Sequence, residues 1–334
     1  MKTILIALYL SLLAIPIFAQ DVNPTPTLAP SKTPTLEPQP TDTNTDNNNT
    51  ETEDVITQSL LENPFTQDDL QLLVGNVQRP NGIIWHDGQL YTVCNGDWTL
   101  YRIDDTSGST ITFIFGVKNG NSLLLEETEA GFDLWIPDSD SDTLWKVDQN
   151  RSAPSSINNQ LITPWGIAKA SEEKFLITNS KGNSIVEVSK NGVAQPVLNE
   201  LRSPTGIAIQ ENYIYFANGG SARRGIEWFE MSENGEYTEP QTLISGLQNT
   251  TNVVMAQDNF LYFAYALGTR GIVGRIDPSQ CRDGGCTNED VEIVVFSDIP
   301  APIAGMTLSD DMRLFLHSRY RPEIYWVQLP NNPS

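Results

Sequence analysis

The chain has 334 residues, with 42 Asp plus Glu against 20 Lys plus Arg and a formal charge of −22. Such a surface repels phosphate backbones and anionic membranes, which excludes nucleic-acid binding as a general role and favours a soluble monomer. Only two histidines are present, so a three-histidine metal site is excluded as well.

Residues 1–19 read as an export signal. Lys2 supplies the positive start, Ile4 to Phe18 an apolar run broken by Ser11 and Pro16, and Ala19 a small residue for cleavage before Gln20. The run is short for a bilayer span, so a secreted or extracytoplasmic protein is expected, with a retained anchor as the alternative. No later segment is long and apolar enough to span a membrane. Residues 20–64 form a Pro/Thr/Asn-rich linker with too few apolar side chains to offset the entropy of ordering it.

From about residue 65 to 330 the pattern becomes short strands of β-branched and aromatic residues divided by Gly, Asn and Asp turns. One unit recurs. It opens with Pro-x-Gly and an apolar strand, makes an acidic turn, continues through an apolar–aromatic strand ending in Asn or Asp, and closes on a third strand. Three copies are clear: Pro80-Asn81-Gly82-Ile83, Pro164-Trp165-Gly166-Ile167 and Pro204-Thr205-Gly206-Ile207 open them. Gly166 and Gly206 are 40 positions apart, and Gly82 and Gly166 are 84, which leaves room for one further unit between them. That second copy has lost its Pro-x-Gly but keeps Leu134-Trp135-Ile136-Pro137-Asp138 and Leu144-Trp145-Lys146-Val147-Asp148. A fifth runs from Phe260 to Asp277 and a sixth from Ile303 to Val327.

Six units of this length predict an all-β fold, a six-bladed β-propeller of four-stranded blades, because a lone unit exposes two apolar faces that only neighbours on both sides bury. The sixth unit ends without a fourth strand. Asp69 to Val74, ahead of the first unit, is predicted to supply it and to clasp the ring.

These repeats resemble the six-bladed NHL and gluconolactonase-like (senescence-marker-protein-type) propellers over roughly residues 68–330. In a blade of that kind the Pro-x-Gly loop and the turn between second and third strands share one face. The resemblance therefore places Asn81, Trp165, Thr205, Asn252 and Ala304 at the mouth of the central channel, with Arg223, Arg270, His317, Arg319 and Arg321 in the turns around them. Asn252 precedes Val253, which stands in the glycine slot. The opposite face carries Asp87, Glu129, Glu172, Glu173, Glu211, Asp258, Asp310 and Asp311, read as a solvated acidic surface.

The gluconolactonase-like enzymes hold a divalent metal such as calcium, and the resemblance implies Asn81 as a ligand. The G-E-G-P-x-W element that supplies their glutamate is absent. Asp138-Ser139-Asp140-Ser141-Asp142 alternates like a calcium loop, but it lacks the glycine and glutamate of one and reads as a polar hairpin turn. His317 is either a structural histidine or a proton carrier. Cys281 and Cys286 enclose a flexible Arg-Asp-Gly-Gly turn and read as a disulfide in an exported protein, with a two-cysteine metal site as the alternative, while Cys94 reads as buried.

No complete catalytic set is visible. The leading expectation is a secreted propeller that takes a small-molecule or peptide ligand on its Pro-x-Gly face. A metal-dependent sugar-lactone hydrolase is the alternative, and a quinone-dependent sugar dehydrogenase with His317 as base is the third.

Overall fold

The second strand of each repeat reads as an unbroken apolar run, and it is buried on both faces. Gln89–Cys94, Lys174–Asn179 and Tyr213–Asn218 are each buried at every position after the first. A strand sandwiched between two neighbours shows no inside–outside alternation. In the computed structural model, which describes residues 63–220 and 223–330, this is the geometry of a ring of six antiparallel sheets. The expected export signal and all but the last two residues of the expected linker lie outside the described residues.

Blade 1 comprises Pro80–His86, Gln89–Cys94, Thr99–Asp104 and Thr110–Phe115. Blade 2 is Leu124–Thr128, Gly131–Asp138, Thr143–Asp148 and Ser155–Asn158, and blade 3 is Pro164–Ser171, Lys174–Asn179, Ser184–Ser189 and Ala194–Leu198. Blade 4 is Pro204–Gln210, Tyr213–Asn218, Gly225–Glu230 and Gln241–Ser245, and blade 5 is Gln248–Met255, Leu261–Leu267, Arg270–Ile276 and Glu292–Pro300. Blade 6 takes Ile303–Leu308, Arg313–Ser318 and Ile324–Gln328 from the end of the chain and Gln71–Val74 from its beginning. The clasp is antiparallel, with Gln71 opposite Trp326 and Leu72 opposite Tyr325.

Two blades depart from the expected four strands. Phe65–Thr66 adds a parallel fifth strand to blade 5, against Val295 and Phe296, and Cys286–Thr287 adds one to blade 4, against Ile244 and Ser245. The second addition belongs to an arm that leaves blade 5 after Ile276. The Cys281–Cys286 disulfide closes that arm, and Cys281 is buried in the core shared by blades 4 and 5. Cys94 is buried at the interface of blades 6 and 1, where burial pushes its thiol far up from the usual value, so it behaves as a small hydrophobe.

The apolar core is six clusters, one per blade–blade interface. Neighbouring residues of one strand serve opposite neighbours: Leu90 packs with Phe315 of blade 6, and Tyr91 with Leu134 of blade 2. Each blade is thus held by its two neighbours, which is why the clasp in blade 6 matters to the whole ring.

Candidate functional site at the channel mouth

The three blades that open with Pro-x-Gly begin at the mouth with a backbone that most residues avoid. Arg79, Thr163 and Ser203, the residues before the three Pro-x-Gly prolines, have φ of 60°, 51° and 52°. The left-handed region costs an L-residue about 1–2 kcal/mol, and Thr163 is β-branched besides. The conformation is held by repeated bonds. Asn95 N, Ser180 N and Gly219 N donate to the carbonyls of Arg79, Thr163 and Ser203 at 3.1, 3.0 and 3.1 Å. Asp142 and Asn183, from the preceding blade, accept from Thr163 N and Ser203 N at 2.7 and 2.8 Å.

The glycine that follows has a different reason. A Cβ on Gly82 would lie 2.7 Å from Ser122 N, and one on Gly206 would lie 2.6 Å from Val253 N. At these points the innermost strands of successive blades touch through their backbones, and only glycine leaves room.

The variable residue of the motif forms a ring. Asn81, Trp165, Thr205 and Ala304 take this position in blades 1, 3, 4 and 6. In blade 5 the expected Asn252 falls one residue on, in the glycine slot, and Thr251 takes the variable position, because Val253 pairs with Phe263 as Ile207 pairs with Phe216. The second blade contributes Asn121, which sequence reasoning missed because Ser122 replaces the glycine and no proline precedes it. Its spacing was the available signal, since Asn121 falls 40 positions after Asn81 and 44 before Trp165.

Half of this ring is spent on the backbone. Thr205 Oγ1 donates to the Thr250 carbonyl at 2.8 Å, Thr251 Oγ1 to the Ile303 carbonyl at 2.6 Å, and Asn252 Nδ2 to the Ala304 carbonyl at 3.1 Å. The other half is a side-chain cluster. Asn81 Nδ2 donates to Asn119 Oδ1 and Asn121 Oδ1 at 2.5 and 2.8 Å, Asn121 Nδ2 to Ser139 Oγ at 2.9 Å, and Asn119 Nδ2 to Asp140 Oδ1 at 2.9 Å. Arg319 reaches across from blade 6. Its Nη2 donates to Asn121 Oδ1 at 3.1 Å and its guanidinium lies 5.1 Å from the Trp165 ring centre.

Three polar atoms of this cluster are buried without a hydrogen-bond partner: Asn81 Oδ1, Trp165 Nε1 and Arg319 Nε. Of the buried polar side-chain atoms in that condition among the described residues, all but Trp228 Nε1 belong to the mouth face. Native interiors leave few such atoms, and each calls for an explanation.

Solved structures with this fold include a gluconolactonase from Xanthomonas campestris, at 14% identity and a TM-score of 0.64, covering 78% of this chain and 89% of that one. The calcium-binding protein regucalcin from Agrobacterium tumefaciens matches at 14% identity and a TM-score of 0.61, covering 80% and 95%. A streptogramin B lyase matches at 15% identity and 0.51, covering 77% and 96%. No known family profile and no curated protein sequence matches the chain. The fold is that of the gluconolactonase-like and regucalcin-like six-bladed propellers. Identities this low carry the fold alone.

The metal that such propellers imply does not fit the residues at this mouth. The carbonyl oxygens of Asn119 and Asn121 already accept from the Asn81 amide, and Arg319 brings a positive charge onto the Asn121 oxygen. Among the described residues no group of three or more His, Cys, Asp or Glu side chains is placed to hold an ion. A divalent cation needs several free oxygens, and of the buried oxygens in this cluster only Asn81 Oδ1 is left without a partner. Asp138 serves the local backbone instead, accepting from Lys118 N at 2.8 Å and from Asp140 N at 3.0 Å, so its segment is the polar turn the sequence suggested.

The arginines expected as one rim of the propeller mouth do not converge. Arg223 pairs with Glu227 and lines a separate concavity of about 490 Å³ on blade 4 with Arg224 and Thr242. Arg270 pairs with Asp298 at 3.1 Å over the Phe296 ring, and only Arg319 reaches the ring of variable residues. His317 is the penultimate residue of the second strand of blade 6, and its surroundings fit the structural one of its two readings. It is fully buried, with Nδ1 3.3 Å from the Ser318 carbonyl and Nε2 beside the Asn81 carbonyl across Gly305. Burial pushes it down to about 4, so it is neutral at physiological pH and serves the packing of blades 6 and 1.

Proposed function

We propose that the protein is an exported propeller whose channel mouth binds a small, anionic, hydroxyl-rich ligand. The observation that carries this reading is the set of unpartnered buried atoms at one cluster: an acceptor on Asn81 and donors on Trp165 and Arg319. A ligand with hydroxyls and one carboxylate offers a partner to each. The indole face adds an apolar platform beside the guanidinium, the usual division of labour in small-ligand sites. The apolar segment of residues 4–18 and the Cys281–Cys286 bridge support an exported protein. A metal-assisted lactone hydrolysis finds no support in the donor set.

The test is titration calorimetry of the mature chain against a panel of sugar acids, with the corresponding neutral sugars as controls. Hydrogen bonds to a charged group contribute about 1.5–3 kcal/mol, so Arg319→Ala is expected to weaken the best acid by roughly 10- to 100-fold. Arg270→Ala, away from the cluster, leaves it unchanged. Equal loss in both variants, or tighter binding of neutral sugars than of acids, would sink the reading.

A further inference from the structure

Below the mouth, the channel turns largely aliphatic. The innermost strands of all six blades line an open cavity of about 340 Å³ that begins at Trp165 and Asn252 and continues past Ile84, Leu124, Ala168, Ile209, Val254 and Met306, one from each blade. Ile84, Leu124, Ile209 and Val254 are only partly buried, although they sit on the axis of the ring. The cavity reaches the acidic-turn face, because Lys169 lines it and pairs there with the exposed Glu172 at 2.8 Å. Its volume falls within the range of about 300–1,000 Å³ typical of small-ligand sites, which are likewise mostly apolar with few polar groups.

We infer that this channel is a second binding site, entered from the acidic-turn face, for a small amphiphilic cation: an apolar chain or ring body with an ammonium head. The body is set by the walls. Six aliphatic side chains remove apolar surface from water without offering hydrogen bonds, and Met306 adjusts to irregular shapes. The head is set by the rim. Asp87, Glu211 and Asp310 are exposed on the turns around the opening. The one cation of the wall, Lys169, is held by Glu126 at 3.1 Å and by Glu172, so the entrance keeps its negative field. An anionic amphiphile of the same length meets the same walls and a repulsive rim.

The probe is neutral N-phenyl-1-naphthylamine, titrated into the mature chain and followed by its fluorescence gain in an apolar site. Saturable binding is expected. Decyltrimethylammonium, below its micellar concentration, should displace the dye at a concentration about tenfold lower than decanoate does, with the gap narrowing at high salt. Ala168→Trp, which fills the channel, should weaken the dye by at least about tenfold, whereas Arg270→Ala, which pairs with Asp298 away from the channel, should leave it unchanged. The last arm controls for a general effect of removing a surface arginine. The proposal is overturned by non-saturable dye, by equal or reversed displacement, or by loss of dye binding in Arg270→Ala. The competition uses the unaltered protein, so it decides the matter even if the tryptophan variant does not fold.

Discussion

The two ends of the propeller solve the same problem in opposite ways. At the acidic-turn end, polar groups are satisfied close to home. Asp104 Oδ1 accepts from Ser107 N at 2.8 Å, and these turn bonds hold its carboxyl down to about 2; Asp258 accepts from Tyr262 Oη at 2.7 Å. At the mouth, side chains from blades 1, 2, 3 and 6 meet, the backbone before each Pro-x-Gly proline is left-handed, and buried polar atoms remain without partners. A turn that needs only its own chain can finish its own hydrogen bonds. A junction of four blades is fixed by the packing of the sheets below it, and it leaves donors and acceptors that the proposed ligand would satisfy.

The sharpest way to break this contrast is steric. Gly206→Val places a side chain within 2.6 Å of Val253 N, where backbone must move. The expected loss is about 3 kcal/mol or more, read by urea denaturation, because overpacking typically costs about 1–3 kcal/mol even where side chains can yield. At the other end Gly88 has open space but φ of +71°, so Gly88→Ala should lose only about 1–2 kcal/mol. Equal losses would mean that the mouth is no tighter than the turns.

The next effect is electrostatic. His317 is lowered to about 4 in the folded state from its ordinary 6.5, so the unfolded chain takes up the proton first as pH falls. Stability is therefore complete above about pH 6.5 and declines toward pH 4, by an amount on the order of 3 kcal/mol for this one group. Denaturation midpoints of the wild type and His317→Gln, measured across that window, should converge as pH falls. Parallel curves would show that the ring is reached by solvent protons in the native state.

Much of the ring was legible in the sequence, because propeller blades repeat the same burial demand six times. The Pro-x-Gly spacing gave the period, and Leu134-Trp135-Ile136 carried a blade whose opening had degenerated. The clasp from Gln71–Val74 was readable because the sixth unit visibly lacked a strand. The site was only half legible. Position in the motif located Asn81, Trp165 and Thr205, since the backbone fixes where they stand, but in blade 5, where neither proline nor glycine remains, it was one residue off and Thr251 holds the place expected for Asn252. Asn121 was lost with its motif. Arg223 and Arg270 were misjudged because a long side chain on a turn chooses its partner from the fold, and Glu227 and Asp298 lay within reach. The apolar channel was unreadable as a cavity. An aliphatic side chain on an inner strand looks the same in sequence whether it faces a neighbour or the axis.

The smallest predicted effect tests whether the acidic turns are what they look like. Asp87 and Glu211 are exposed, with φ of 45° and 55°, and lie on a chain of formal charge −22. Asn tolerates the left-handed region at least as well as Asp, so Asp87→Asn carries no backbone penalty. Removing both charges with Asp87→Asn and Glu211→Gln should change stability by no more than about 0.5 kcal/mol, in the stabilising direction, because it relieves self-repulsion. Added salt should then raise the wild-type melting temperature more than that of the double variant, since screening replaces what the substitutions remove. A loss above about 1 kcal/mol would instead mean that these carboxylates hold the turns in place, and the acidic face would have to be read as structure rather than as a charged rim.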